Sequence, residues 1–173
     1  MALVRKRDYE QSVDSAAEGA ASVMKRLQEA GLLTVPVDVH AIAEYLGLDV
    51  FEEIMDDELS GYIEPRRNSW VIGVNAFHHP NRQRFTIAHE IGHFVLHKPS
   101  ERIIDITFAR RAGGRDRIEN EADEFAAKLL MPEATVRSLI ASGLSSLEAL
   151  ANHFRVSLMA VKYRVQSLGY SVR

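Results

Sequence analysis

The stretch Phe85-Thr86-Ile87-Ala88-His89-Glu90-Ile91-Gly92-His93-Phe94-Val95-Leu96-His97 constrains the fold more than any other part of the chain. A helical period puts His89 and His93 on one face a turn apart, while Ile87, Ala88, Ile91, Val95 and Leu96 make the helix apolar on more than one side. Such a helix is expected to be buried. Two histidines and a glutamate buried without partners would cost roughly 2 kcal/mol or more per polar group, and a metal ion removes that cost. The reading is a zinc site, with His89 and His93 as ligands and Glu90 placed to reach a water on the ion, the general-base position of a metallopeptidase. The bare five-residue pattern also occurs on structural helices. The apolar flanks argue against that here.

Composition narrows the chemistry further. The chain has no cysteine, which excludes disulfides and thiolate ligands and leaves His and carboxylate as the strong ligands available. A formal charge of −3 gives no global basic field that would argue for nucleic acid. Three basic residues in Met1 to Arg7 are not followed by an apolar run, and nowhere do about eighteen apolar residues stand together. A soluble, cytoplasmic protein with no membrane partner is the expectation. At 173 residues the chain suits one metallopeptidase domain: N-terminal helices over 1–48, the sheet and zinc-site core over 49–135, and a C-terminal segment over 136–173.

Taken in order, Asp8 to Ala30 shows one apolar helical face (Val13, Ala16, Ala17, Ala20, Val23, Met24, Leu27) closed by Gly31. A shorter helix opens after Pro36 and ends at Gly47, with His40 in its first turn read as a solvated or capping residue. Three apolar-rich runs follow, Val50 to Ile54, Leu59 to Ile63 and Trp70 to Val74, and they suggest a small antiparallel sheet. Trp70 to Asn75 is the candidate unpaired edge to which an extended substrate would add; an ordinary buried strand fits the sequence equally well. His78-His79-Pro80 reads as a loop rather than ligands, with Asn81 as the N-cap of a helix from about Arg82 to His97. His97 lies a turn too far along the axis to share the ion, which leaves it a structural or ligand-supporting role. Ile103 to Phe108 reads as a further strand, and the Gly113-Gly114 loop between arginines as a connector or lid.

A catalytic zinc site needs a third protein ligand, and the next helix, Ile118 to Met131, offers four acids. Glu119, Ala122, Asp123, Ala126 and Leu130 share a stripe whose alanines would let another helix approach closely. Asp123 is placed to accept the outer N–H of a ligating histidine. Glu121 aligns with Glu124 and Lys128 in what reads as a solvated face. Glu119 is therefore the chosen third ligand, with Glu121 the alternative.

His89-Glu90-Ile91-Gly92-His93 followed by Glu119-x-x-Ala122-Asp123-x-Phe125-Ala126-Ala127-x-Leu129-Leu130-Met131-Pro132 resembles the ImmA/IrrE family of zinc metallopeptidases. The resemblance covers most of the chain, more weakly over Val37 to Leu48 and the strands. It implies a thermolysin-like set of two His and one Glu, and cleavage of helix-turn-helix repressors in stress and mobile-element regulation. Many relatives have Asn where this chain has Asp123.

Leu147 to Val165 has the pattern of a helix, a tight turn capped by Ser157, and a second helix, which resembles a helix-turn-helix. The residues that would open a reading helix are Leu158 and Met159, which cannot make bidentate base contacts, so packing or protein contact is favoured over DNA. The combined expectation is an α+β fold in which a zincin-type helix and a glutamate helix pack beside the sheet, plus the helix-turn-helix-like segment. Function is expected to be that of a zinc endopeptidase, with manganese a second candidate for activity and a helix-turn-helix repressor as substrate. A non-catalytic, metal-stabilised regulator or adaptor acting through protein or DNA is the competing class. The donor to the oxyanion is left unassigned, with Tyr62 and His97 as weak suggestions.

Overall fold

Local chemistry sets most element boundaries. In the computed structural model, which describes residues 20–98, 102–106 and 117–172, helix α1 spans Ala20–Glu29. Gly31 follows it at φ 71, a left-handed position that glycine takes without strain. The apolar face read for residues 8–19 lies outside the described residues. Helix α2, Val39–Tyr45, starts where Asp38 accepts hydrogen bonds from the backbone N–H of His40 and Ala41 at 3.0 and 3.1 Å. His40 itself is exposed.

Strands β1 (Leu48–Glu53), β2 (Leu59–Arg66), β3 (Ser69–Asn75) and β4 (Ile103–Ile106) form one sheet in the order β1-β3-β2-β4. Two expectations fail here. The sheet is mixed, not antiparallel, because β1 runs parallel to β3 with Val50 opposite Ile72, while β2 is antiparallel to both β3 and β4. Nor is Trp70 to Asn75 an edge: β3 is paired on both sides, by β1 and by β2. The physical reason is visible in its composition, since Val71, Ile72, Gly73 and Val74 are all buried and such a run suits an interior strand better than an exposed one. Its last residue, Asn75, is fully buried and its side-chain amide donates to the carbonyls of Asp56 and Leu59 at 3.1 and 2.8 Å, fixing the loop before β2.

Helix α3, Pro80–His97, begins at a cap that sequence reasoning misplaced. His79, not Asn81, is the N-cap, and its Nδ1 accepts from the Asn81 backbone N–H at 3.1 Å, with Pro80 in the first turn. The helix ends where Lys98 turns left-handed at φ 43 and donates back to the His93 carbonyl. Helix α4 spans Arg117–Leu130, α5 Glu133–Ala141, α6 Leu147–Phe154 and α7 Leu158–Ser167. The described residues therefore hold seven helices with the mixed sheet, an α+β arrangement. Among them no helix is long and apolar enough to cross a membrane.

One continuous apolar core joins these elements. It includes Leu27, Ile42, Ile63, Ile72, Ile87, Ile91, Leu129 and Phe154, so α3 lies with the sheet on one side and helices on the other. Close approach is required on both sides of α3. A Cβ at Gly61 of β2 would meet the Thr86 Cγ2 atom at 2.6 Å, and one at Gly92 would lie 3.1 to 3.2 Å from the Ala122 backbone and the Phe125 ring. The alanine stripe of α4, with Ala122 and Ala126 fully buried, lets α4 lie against α3 at that distance, as its spacing suggested.

Two arginines tie the C-terminal helices to this frame. Arg84 of α3 donates to the carbonyls of Val37, Arg155 and Phe154 at 2.7, 3.2 and 3.4 Å, and Asn81 donates to Val156 at 3.2 Å. Buried Arg164 of α7 donates to the Met131 carbonyl at 3.0 Å, just past the end of α4. Arg164, and Arg84 through Phe154 and Arg155, thus meet carbonyls at a helix C-terminus, where the helix dipole also favours positive charge, while Val37 lies just before α2.

Candidate metal centre

The two histidines of α3 face α4 because helical geometry leaves them one turn apart on the side where Gly92 admits the neighbouring helix. His89, Glu90 and His93 are all buried, at 1%, 0% and 0% exposure. The Nε2 atoms of His89 and His93 point at each other 3.0 Å apart. Glu119, in the first turn of α4, brings one carboxylate oxygen to 3.2 Å from His93 Nε2 and the other to 3.4 Å from His89 Nε2. Ligand atoms of His89, His93 and Glu119 all lie within 4.8 Å of one another, a separation that one metal ion can bridge. The donor set fits a divalent cation: two imidazole nitrogens and one carboxylate, fixed by two packed helices.

The outer nitrogens of both imidazoles are also engaged. His89 Nδ1 donates to Asp123 Oδ1 at 2.8 Å, the contact that the stripe on α4 implied. His93 Nδ1 faces His97 Nδ1 at 3.1 Å, and His97 Nε2 faces Glu121 Oε2 at 3.0 Å. Glu121 also accepts from Arg117 Nε at 2.7 Å. Its side chain is 37% exposed, in keeping with its alignment with Glu124 and Lys128, but it also meets His97 of α3 across the interface. Glu124 and Lys128 do pair on the surface, at 2.7 Å. Glu121 stands outside the three-residue group that Glu119 completes.

Electrostatics in the cluster are asymmetric. Burial alone would lower the His89 imidazole, but its hydrogen bonds with Asp123 and Glu119 and the nearby charges of Glu90 and Asp123 outweigh that and hold it up at about 9. His93 moves the other way: burial lowers it, and the neighbouring His89 and His97 add to the fall against the pull of the adjacent Glu119 carboxylate. Burial would raise Glu119, yet the two histidines against it keep its carboxyl well below the usual carboxylate range. Positive charge is therefore favoured on His89 and disfavoured on His93. A divalent cation in its place would satisfy the same field with more charge and no protons.

Tyr62 lies elsewhere. Its neighbour Ile63 is in the core beside α3, so alternation sends Tyr62 to the other face of the sheet, where its hydroxyl donates to Glu53 at 2.6 Å. Burial and the Glu53 hydrogen bond push that hydroxyl up to about 12. Nothing there bears on an oxyanion at the metal centre. The suggested lid, Gly113-Gly114, lies outside the described residues.

The model of the IrrE N-terminal-like domain, a peptidase family, matches residues 43–166, which takes in the sheet, α3, α4 and the C-terminal helices. The chain belongs to this family. Over 81 residues, 46% of the chain, it is 37% identical to the radiation response metalloprotease IrrE of Deinococcus radiodurans, and that stretch is 24% of the relative. Over 89 residues, 50% of the chain, it is 28% identical to the metallopeptidase ImmA of Bacillus subtilis, covering 51% of that protein. The matched stretches thus span about a quarter and about half of these two relatives, both named as metal-dependent peptidases.

Proposed function

We propose that the chain is a zinc-dependent endopeptidase whose substrate is a partner helix-turn-helix repressor. The observation that carries the reading is the convergence of His89 Nε2, His93 Nε2 and the Glu119 carboxylate with Glu90 fully buried on the same helix. His89, His93 and Glu119 would hold the ion, leaving a fourth position open as catalytic zinc requires. Bound there, zinc supplies an acidified water and a Lewis acid for the scissile carbonyl.

The chain's own groups perform the rest. Glu90 follows the first histidine and its carboxylate takes the proton of the attacking water, then passes it to the leaving amine. Asp123 accepts from His89 Nδ1, so that Nε2 keeps its lone pair for the ion. Gly92 and Ala122 set the spacing of α3 and α4 and hence the distance between the carboxylate and the two imidazoles.

The family membership and the names of the two relatives support peptidase chemistry; the repressor as substrate rests on the resemblance alone. The test is direct. If the neighbouring gene encodes a small repressor, the purified chain incubated with it and zinc or manganese is expected to yield a discrete fragment. Glu90→Gln is expected to bind zinc and release none. Repressor control that persists unchanged in Glu90→Gln cells would favour the non-catalytic regulator instead.

A further inference from the structure

His89 and His93 present the same atom to the same place but are held from behind in different ways. Behind His89 is a carboxylate; behind His93 is another imidazole, that of His97, and behind that a carboxylate, Glu121. The order of donors and acceptors along this second chain follows from its far end. An ionised carboxylate only accepts, and Glu121 accepts from Arg117 Nε through Oε1. Its other oxygen faces His97 Nε2 at 3.0 Å, so Nε2 carries the hydrogen. A neutral imidazole with its hydrogen on Nε2 has a lone pair on Nδ1, and that atom lies 3.1 Å from His93 Nδ1. His93 therefore donates through Nδ1. Its Nε2 is left with a lone pair, 3.0 Å from His89 Nε2, which can donate to it until a metal takes that lone pair.

We infer that His97 and Glu121 are positioning residues which fix the tautomer and ring orientation of His93, so that Nε2 is the atom offered to the metal. The inference rests on the reading of His89, His93 and Glu119 as the metal site. It gives Glu121, the losing candidate for third ligand, a task of its own: it acts on His93 through two successive hydrogen bonds, by way of His97. It also accounts for the spacing of His97, which is one turn beyond His93 and so reaches the back of that ring and not its metal-facing edge.

Two measurements on the full chain test this. In the zinc-loaded protein, long-range proton–nitrogen NMR of the imidazoles is expected to show hydrogen on Nδ1 of His93 and on Nε2 of His97. Hydrogen on Nδ1 of His97 overturns the inference. Zinc affinity by chelator competition supplies the second. His97→Phe, which keeps a ring but offers no acceptor, is expected to weaken zinc binding about 10- to 100-fold. Glu121→Ala is expected to weaken it in the parent chain and to add nothing in the His97→Phe background, because Glu121 acts only through His97. Equal losses from Glu121→Ala in both backgrounds, or none in either, overturn it. His93→Ala separates the two levels: if that variant still binds zinc as the parent does, the metal-site reading has failed, and the positioning question falls with it.

Discussion

The α3–α4 interface and the α6–α7 pair are both two-helix units with a recognisable sequence pattern, and they treat their polar groups in opposite ways. Between α3 and α4 the histidines and Glu90 are buried, and both imidazoles are hydrogen-bonded from behind. On α7 the arrangement is inverted. Arg164 is buried against a helix end, and Leu158, Met159 and Tyr163 are 49%, 56% and 53% exposed. Desolvated polar groups are costly to keep and are retained where they perform chemistry or hold a structure together. Exposed apolar side chains cost little and suit contact with another protein surface better than with base edges. Under the proposed function the first unit carries the reaction chemistry, and the second packs against the frame and leaves apolar side chains exposed.

The comparison is most exposed to failure at Glu90. Glu90→Gln is expected to lower peptide cleavage by about 10²- to 10⁴-fold, with zinc content unchanged by elemental analysis; cleavage at the parent rate would remove the chemistry from α3. Proton competition comes next. A ligating His89 must be neutral, while in the metal-free site its imidazole is held up at about 9. Below that pH each proton must be displaced, so apparent zinc affinity is expected to fall by up to about tenfold per unit as pH drops from 9 toward 7. Asp123→Ala removes the leading hydrogen bond behind that rise and is expected to flatten the slope. A slope unchanged in Asp123→Ala would break the assignment of that charge.

Smaller effects probe packing. Gly92→Ala places a methyl group 3.1 to 3.2 Å from the Ala122 backbone and the Phe125 ring, so α3 and α4 must part slightly. A loss of about 1 to 3 kcal/mol in urea unfolding is expected, together with weaker zinc binding, since both ligand-bearing helices move. Arg164→Met should cost a similar or smaller amount, about 1 to 3 kcal/mol, by leaving the Met131 carbonyl unsatisfied, but with zinc affinity preserved. Replacing Leu158, Met159 and Tyr163 together by Ser is expected to change stability by about 0.5 kcal/mol or less per site. If this triple change abolishes zinc binding, the two units are not separable in the way proposed.

What the sequence determined by itself is what short-range geometry can dictate. Four residues of helix place His93 one turn from His89, Ser157 caps the helix that follows it, and the alanines of α4 mark the face on which another helix can lie close. These follow from the helical period and from capping, which need only neighbouring residues. The tertiary structure decided the rest. Whether β3 is an edge depends on β1, some twenty residues away in the chain, whose pairing leaves no local mark beyond an apolar run. Glu119 and Glu121 differ little in their own helix; what separates them is that α3 presents His89 and His93 to one and His97 to the other. A helix specifies its own faces, but only packing specifies what each face meets.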